Sequence, residues 1–366
     1  MKNVCIWKME KDLNEISQLL KNSYKKIIPS LVEQNIVDED KYLLHKWTVT
    51  NGSDISRKKI VINGEEYRVI KCVADVEYKD FPEDLWIDKG QVISKDIRIK
   101  KKRSYVNFIN INQGTYCIVS GQKSNEGRIR SNLMQSRVKK ELSSWGSIES
   151  KVIPEYKFDK EFYYWLIINK GNTFPGKDDT VTSKDDTIKL VNVKGFRSDA
   201  ERNETSYSGE GADIDSEIPL MSLISMNETL VSLYIDVLYK NKINYSFYLD
   251  CDGRISVCEM GCGEFATQTP KGLPFDNIIM DIYFKIIPLL LKYFNKDKVG
   301  NWNNTCSDFQ KKLSIGIIIE LAKQNSLTIE NIVTAMDSSK SFKNEFEDKT
   351  IAKEITVKDQ EGIKNC

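Results

Sequence analysis

Residues 3–8 alternate between apolar and polar side chains, as a short half-buried strand does. Asp12 and Glu15 then stand in capping-box spacing, and Leu13, Ile16, Leu20, Tyr24 and Ile27 follow at helical intervals. This predicts a helix with one apolar face, ended or kinked by Pro29. The segment IVINGEEYRVIKCVADVEY places Asn63-Gly64 between β-rich arms, a two-residue hairpin signal. A second hairpin is expected at SYVNFININQGTYCIVSG, with Gly114 closing a three-residue loop, and a helix from Arg128 to about Leu142. The N-terminal portion thus reads β-α-β-β-β-β-α.

The following block opens with EFYYWLIINKG, which reads as a strand, and then turns polar across 172–218. That region holds the tandem KDDTVTSKDDT and the run RSDAERNETSYSGEGADIDSEIP. With almost nothing to bury from Arg197 to Pro219, it reads as a long acidic loop. A helix is expected near 219–240, a third hairpin around Asp252-Gly253, and an apolar helix near 275–294. Residues 303–348 are helical in pattern, and the last 17 or so resemble a frayed tail.

At 366 residues the chain is long for one core. The expected class is α+β: two domains with antiparallel-rich sheets and hairpins, 1–150 and 151–300. A helical element at 301–350 and a flexible tail at 351–366 complete it. The longest apolar run, Ile278 to Phe294, contains Asp281, Lys285 and Pro288, so it reads as a core helix and not a membrane span. The first residues carry no apolar stretch long enough for a signal peptide. Eight cysteines without a C-x-x-C pair fit buried thiols in a reduced, cytoplasmic protein.

Charge changes the picture. Residues 95–140 hold twelve Lys or Arg against two acids, Asp96 and Glu126, while the other 320 residues carry 42 basic and 51 acidic side chains. Five of the ten arginines of the whole chain fall in this stretch. Arginine grips phosphate with a planar fork, so the segregation points to a polyanion. The candidate contacts are Arg98, Lys100, Lys101, Lys102, Arg103, Tyr105, Lys123, Arg128, Arg130, Arg137, Lys139 and Lys140. Cations around exposed aromatics can hold a phosphate backbone while stacking on bases. On a helical wheel Met134, Val138 and Leu142 form a buried stripe flanked by Arg128, Arg130, Arg137 and Lys139, an arrangement that snorkelling side chains would also give. The five cations at 98–103 need a counter-anion from elsewhere if they are not for a ligand, and the acidic loop at 196–218 could supply it.

Other motifs are weaker. GQKS at 121–124 lacks the spacing of a phosphate loop, and RSYVNFIN lacks the Gly and second aromatic of an RNA-recognition strand. The single histidine, His45, excludes multi-histidine metal sites, and its strand-like surroundings favour a structural role. Asp213, Asp215 and Glu217, or Asp250 and Asp252, could hold Mg²⁺ for phosphodiester cleavage, although the usual nuclease order of acids and lysine is not seen. Residues 320–346 have a helix-turn-helix outline, but Glu345, Glu347 and Asp348 would repel phosphate.

The expected function is sequence-tolerant nucleic-acid binding through 95–140, with no cofactor, no bound metal and no membrane partner. A metal-dependent nuclease using the acidic loop is the first alternative. A module whose basic patch docks an acidic protein, or a homo-oligomer, is the second. The Lys-, Ile- and Asn-rich usage resembles in style the accessory proteins of prophages, mobile elements and phage defence, without a motif to carry any residue assignment.

Overall fold

The computed structural model describes the chain apart from residues 50–56, 63, 89, 113, 136–142, 150–152, 176–186, 201–204, 213, 265–270 and 335–366. The chain divides into a unit from Met1 to Ser307 and a second from Asp308 to Cys366. The first is α+β and is built on one large antiparallel sheet.

In the first half the order is β1 (Lys2–Met9), α1 (Leu13–Leu19), β2 (Ser23–Ile27), β3 (Tyr42–Val49), β4 (Arg57–Ile62), β5 (Glu65–Lys79), β6 (Ile99–Ile111), β7 (Gly114–Ser120) and α2 (Lys123–Arg128). The capping box forms: Asp12 Oδ1 accepts from the Asn14 and Glu15 amides at 2.7 and 2.9 Å, and Glu15 accepts from the Asp12 amide at 3.1 Å. The helix stops at Leu20, short of the expected end. Tyr24 and Ile27 sit instead on β2, paired with β3 from Ser23↔Lys46 to Ile27↔Tyr42. The Leu20–Tyr24 spacing mimicked a helix because both side chains turn toward the same core from different elements.

Around Gly64, at φ +83°, the expected hairpin pairs Ile62 with Glu65; Asn63 lies outside the described residues. The second hairpin is tighter than expected. Ile111 pairs with Gly114, so the loop has two residues, and Asn112 at φ 50° takes the left-handed position that Gly114 was expected to fill. The helix expected to start at Arg128 begins at Lys123 and passes through a π-helical turn, Ile129–Leu133; residues 136–142 lie outside the described set.

The second half runs α3 (Lys160–Ile168), β8 (Ile188–Ala200), β9 (Thr205–Glu210), α4 (Ile218–Ser225), β10 (Leu230–Tyr239), β11 (Ile243–Asp250), β12 (Ile255–Val257), α5 (Phe275–Asp281) and α6 (Ile287–Val299), the last two joined by a π-helical turn. Three expectations change here. The run at 161–171 is a helix, capped by Asp159, whose Oδ1 accepts from the Phe162 amide at 2.9 Å. Buried on every side, α3 satisfies its polar tips internally: Tyr163 donates to Leu249 O, Tyr164 to Glu228 O and Trp165 to Asp297. The helix expected over 219–240 ends near Ser225, and Asn227 at φ 59° breaks it. Beyond it Leu233, Ile235 and Val237 alternate with Ser232, Tyr234 and Asp236, the period of a strand. Finally, part of the polar run from Arg197 is strand. β9 pairs with β8 from Gly195↔Glu210 to Ala200↔Thr205, held by main-chain bonds where side chains offer little to bury.

The sheet order is β8-β10-β11-β12-β1-β7-β6-β5-β3-β2, with β9 on β8 and β4 on β5. β1 is the seam: it pairs with β7 from its own half and with β12 from the other. The expected division near residue 150 therefore coincides with no break in the sheet. Tyr283, at the α5–α6 junction, has its hydroxyl 3.0 Å from Gly253 O and 3.3 Å from Val4 O, and its one hydrogen serves either carbonyl, tying the helix to that seam. One face of the first half is closed by α1, the π-helical turn and Trp145 over Trp7, Trp47, Cys72, Val106 and Phe108. The opposite face is covered by α5 and α6 only in part.

Within the second unit, the continuation of the helix Trp302–Gln324 leaves Ile315, Ile318, Ile319 and Leu321 exposed among the described residues. No helix among the described residues is long and apolar enough to cross a membrane.

Candidate functional site

β6 decides where the basic stretch goes. Successive side chains on a strand point to opposite faces, so the run Lys100–Arg103 is divided. Lys100 lies opposite Tyr78 and Lys102 opposite Val76, on the α1 face, while Lys101 opposite Glu77 and Arg103 opposite Asp75 share the other face with Tyr105. On the α1 face Arg128 stacks over Tyr78 at 4.5 Å and Lys102 reaches Gln122 at 3.5 Å. Lys123 is exposed at the start of α2, and Arg130 is half-buried in the π-helical turn. Arg137, Lys139 and Lys140 lie outside the described residues.

Among the described residues the counter-anions are local, and none comes from the 196–218 region. Asp75, almost fully buried, accepts from Arg103 Nε at 3.0 Å and from Thr48 Oγ1 at 3.0 Å, and lies 3.2 Å from Lys101 Nζ. Burial alone would raise its pKa. Hydrogen bonds from Arg103, Lys101 and Thr48 outweigh that and hold it below the usual carboxylate range. Lys100 lies 3.6 Å from Asp80 and Lys95 3.3 Å from Glu77. Of the two acids inside the stretch, Glu126 is committed to Arg254 of the second half at 2.9 Å.

Arg98 is not a surface cation. Its side chain is fully buried, donating from Nε to Ile93 O and from Nη2 to Asp40 O, both at 2.9 Å, with the guanidinium 5.1 Å from the Trp86 ring. It pins the segment before β6 to a small core of Ile28, Leu31, Leu43, Trp86 and Ile99. A ligand cannot reach it in this conformation.

What remains accessible is the open face beyond α5. The helix begins over Lys71 and Asn107, where Asp276 accepts from both. Past that point Tyr105 is 60% exposed and the Arg103 side chain 62% exposed. Beside them opens a cleft of about 610 Å³, lined by Lys2, Arg103, Tyr105, Ser120, Gln122 and Phe275 among others. Lys2 caps the Phe275 ring at 4.7 Å and pairs with Glu259. Ser120 is 8% exposed, and its Oγ has no hydrogen-bond partner among the described residues. Lys2, Ser120, Gln122 and Phe275 escaped the sequence reading because they converge from three distant segments. The alternation within β6, however, was readable.

The acids do not converge. Asp215 is taken by Lys170 at 2.6 Å, Glu217 precedes the first turn of α4, and Asp252 pairs with Arg254. Burial raises the pKa of Asp250. Asp213 and the KDDT tandem at 177–187 lie largely outside the described residues, among which no three His, Cys, Asp or Glu side chains group as metal ligands would. His45 is buried on the α1 face, and neither ring nitrogen has a partner among the described residues. No protein-family model matches the chain, and no curated protein does.

Proposed function

We propose that this protein binds nucleic acid in a sequence-tolerant manner, through the open sheet face around Lys101, Arg103 and Tyr105. The carrying observation is the pairing of an exposed arginine with an exposed tyrosine on a β surface that α5 leaves uncovered. Among the described residues Arg103 is held through Nε alone, which leaves the Nη edge of its guanidinium for a phosphate. Tyr105 offers a stacking face that any base can use. The cations on the α1 face, Lys100, Lys102 and Arg128, border the same end of β6 and extend the positive field around it. In this reading the protein works in a reducing, cytoplasmic compartment, consistent with its free cysteines.

The reading differs from a uniform basic stripe. Three of the candidate cations, Lys100, Lys101 and Arg103, are offset by Asp80 or Asp75, so the expected affinity is moderate and strongly salt-dependent. The test is fluorescence anisotropy with labelled DNA and RNA between about 50 and 200 mM salt, wild type against a Lys101→Glu/Arg103→Glu variant. Steep loss with salt, and tenfold or greater loss in the variant, is expected. Undiminished binding in the variant would remove this surface from the reading.

A further inference from the structure

The cleft beside Tyr105 is more elaborate than a phosphate-binding patch requires. We propose that it receives a single unpaired nucleotide, its base stacked on Tyr105 and an adjoining phosphate held by Arg103. This rests on the nucleic-acid reading above and narrows it to single-stranded, frayed or extruded segments.

Size is the first argument. A volume of about 610 Å³ falls within the ~300–1,000 Å³ typical of small-molecule sites. The second is the mixture of surfaces. Tyr105 and Phe275 supply apolar ring area, Arg103 and Lys2 supply charge, and Gln122 supplies an amide. That is the chemistry of a base, a sugar and a phosphate in one unit, and a phosphate backbone alone would not use the rings.

The floor is the third argument. Ser120 sits on β7 directly opposite Tyr105, recessed among its neighbours, and its hydroxyl finds no partner among the described residues. An unmade hydrogen bond on a buried group is costly, and because this oxygen is closed off from solvent a ligand can satisfy it only once the side chain turns toward the cleft. The hydrogen-bonding edge of a base provides donors and acceptors of that kind. Within a duplex both that edge and the stacking faces are occupied by other bases, so only an unpaired nucleotide can present them. Asp276 on the rim is paired with Lys71 and accepts a hydrogen bond from Asn107, which limits its repulsion of a nearby phosphate.

The experiment compares three labelled oligonucleotides on the full chain at fixed low salt: a 12-nucleotide single strand, its duplex, and the same strand with abasic sites throughout. The single strand is expected to bind about tenfold more tightly than the abasic strand, as base–aromatic stacking allows, and more tightly than the duplex. Tyr105→Ala should bring the two strands to equal affinity, while Tyr105→Phe should keep the preference. Ser120→Val, which fills the floor, should weaken the base-containing strand and leave the abasic one unchanged. Equal, salt-sensitive binding of both strands by the wild type would overturn the inference while leaving the nucleic-acid reading intact. Failure to bind any of the three would overturn both.

Discussion

Arg103 and Asp75 face each other across the β5–β6 ladder, Nε 3.0 Å from Oδ1, so the candidate surface's exposed arginine is anchored on a carboxylate that is only 3% exposed. Lys101 leans on the same carboxylate. One acid therefore orients two cations and cancels part of their field.

Asp75→Asn separates those roles. It leaves two neighbouring cations uncompensated and removes a charge-assisted acceptor, with an expected loss of about 1–3 kcal/mol in stability. Nucleic-acid affinity should rise at low salt, with a steeper dependence on salt, because net positive charge on that face increases by one. Denaturant titration and anisotropy measure the two effects. A fall in affinity with the fold intact would mean that positioning of Arg103 outweighs the cancelled charge.

Arg98 should behave unlike its neighbours. Removing it strands the carbonyls of Ile93 and Asp40 and opens a void against Trp86. Arg98→Ala is expected to cost about 2–4 kcal/mol, seen as a lower urea midpoint, with binding per folded molecule unchanged. Lys101→Glu/Arg103→Glu should show the reverse pattern. If Arg98→Ala leaves the midpoint in place, its buried contacts are not stabilising the segment before β6.

Because β6 splits the cluster, its two faces can be told apart. Lys100→Glu/Lys102→Glu acts on the α1 face and Lys101→Glu/Arg103→Glu on the Tyr105 face, at equal change in net charge. The second pair should reduce affinity by at least about threefold more than the first, roughly 0.6 kcal/mol. Equal losses would indicate a diffuse field with no preferred face.

Where local chemistry was strong, the sequence could be read. Asp12 with Glu15, Asn63-Gly64 and Asp252-Gly253 each produce the cap or turn expected of them, because the determinants lie within four residues. Gly253 adds a tertiary reason: at φ +81°, a Cβ there would come within 2.7 Å of Tyr156. Short apolar runs were the failures. Phe162–Ile168 and Leu230–Tyr239 exchanged their expected types because an element buried on both sides loses its amphipathic period, or shows it only in the polar minority. The candidate site was half legible. Arg103 and Tyr105 were visible as a charged and aromatic pair. The burial of Arg98 and the convergence of Lys2, Ser120 and Phe275 depend on pairings more than a hundred residues apart, or on a core that composition does not encode.

His45 gives the pH prediction. Burial lowers its pKa from 6.5 to about 4, against an opposing pull from Glu77 and with a small further push from Lys26. The folded protein thus keeps the ring neutral, while the unfolded chain protonates it near pH 6.5. Between those values the unfolded state binds more protons, so stability rises with pH across the window. The contribution is fully present above pH 6.5, is lost progressively as pH falls toward 4, and changes no further below that. Depressed carboxylates such as Asp75 lose their contribution only at lower pH, and Asp250, whose pKa burial raises, gives a slope of opposite sign, so it is the difference between wild type and a His45 variant from pH 6.5 to 5 that isolates the histidine. His45→Phe keeps a ring of similar size on the α1 face and should flatten the urea midpoint over that interval. Its nucleic-acid affinity at neutral pH should match wild type, since the residue is on the face opposite Tyr105 and is inaccessible to ligand. An unchanged slope would show that another group controls the transition, and a tenfold loss of binding by the folded variant would place His45 in the function itself.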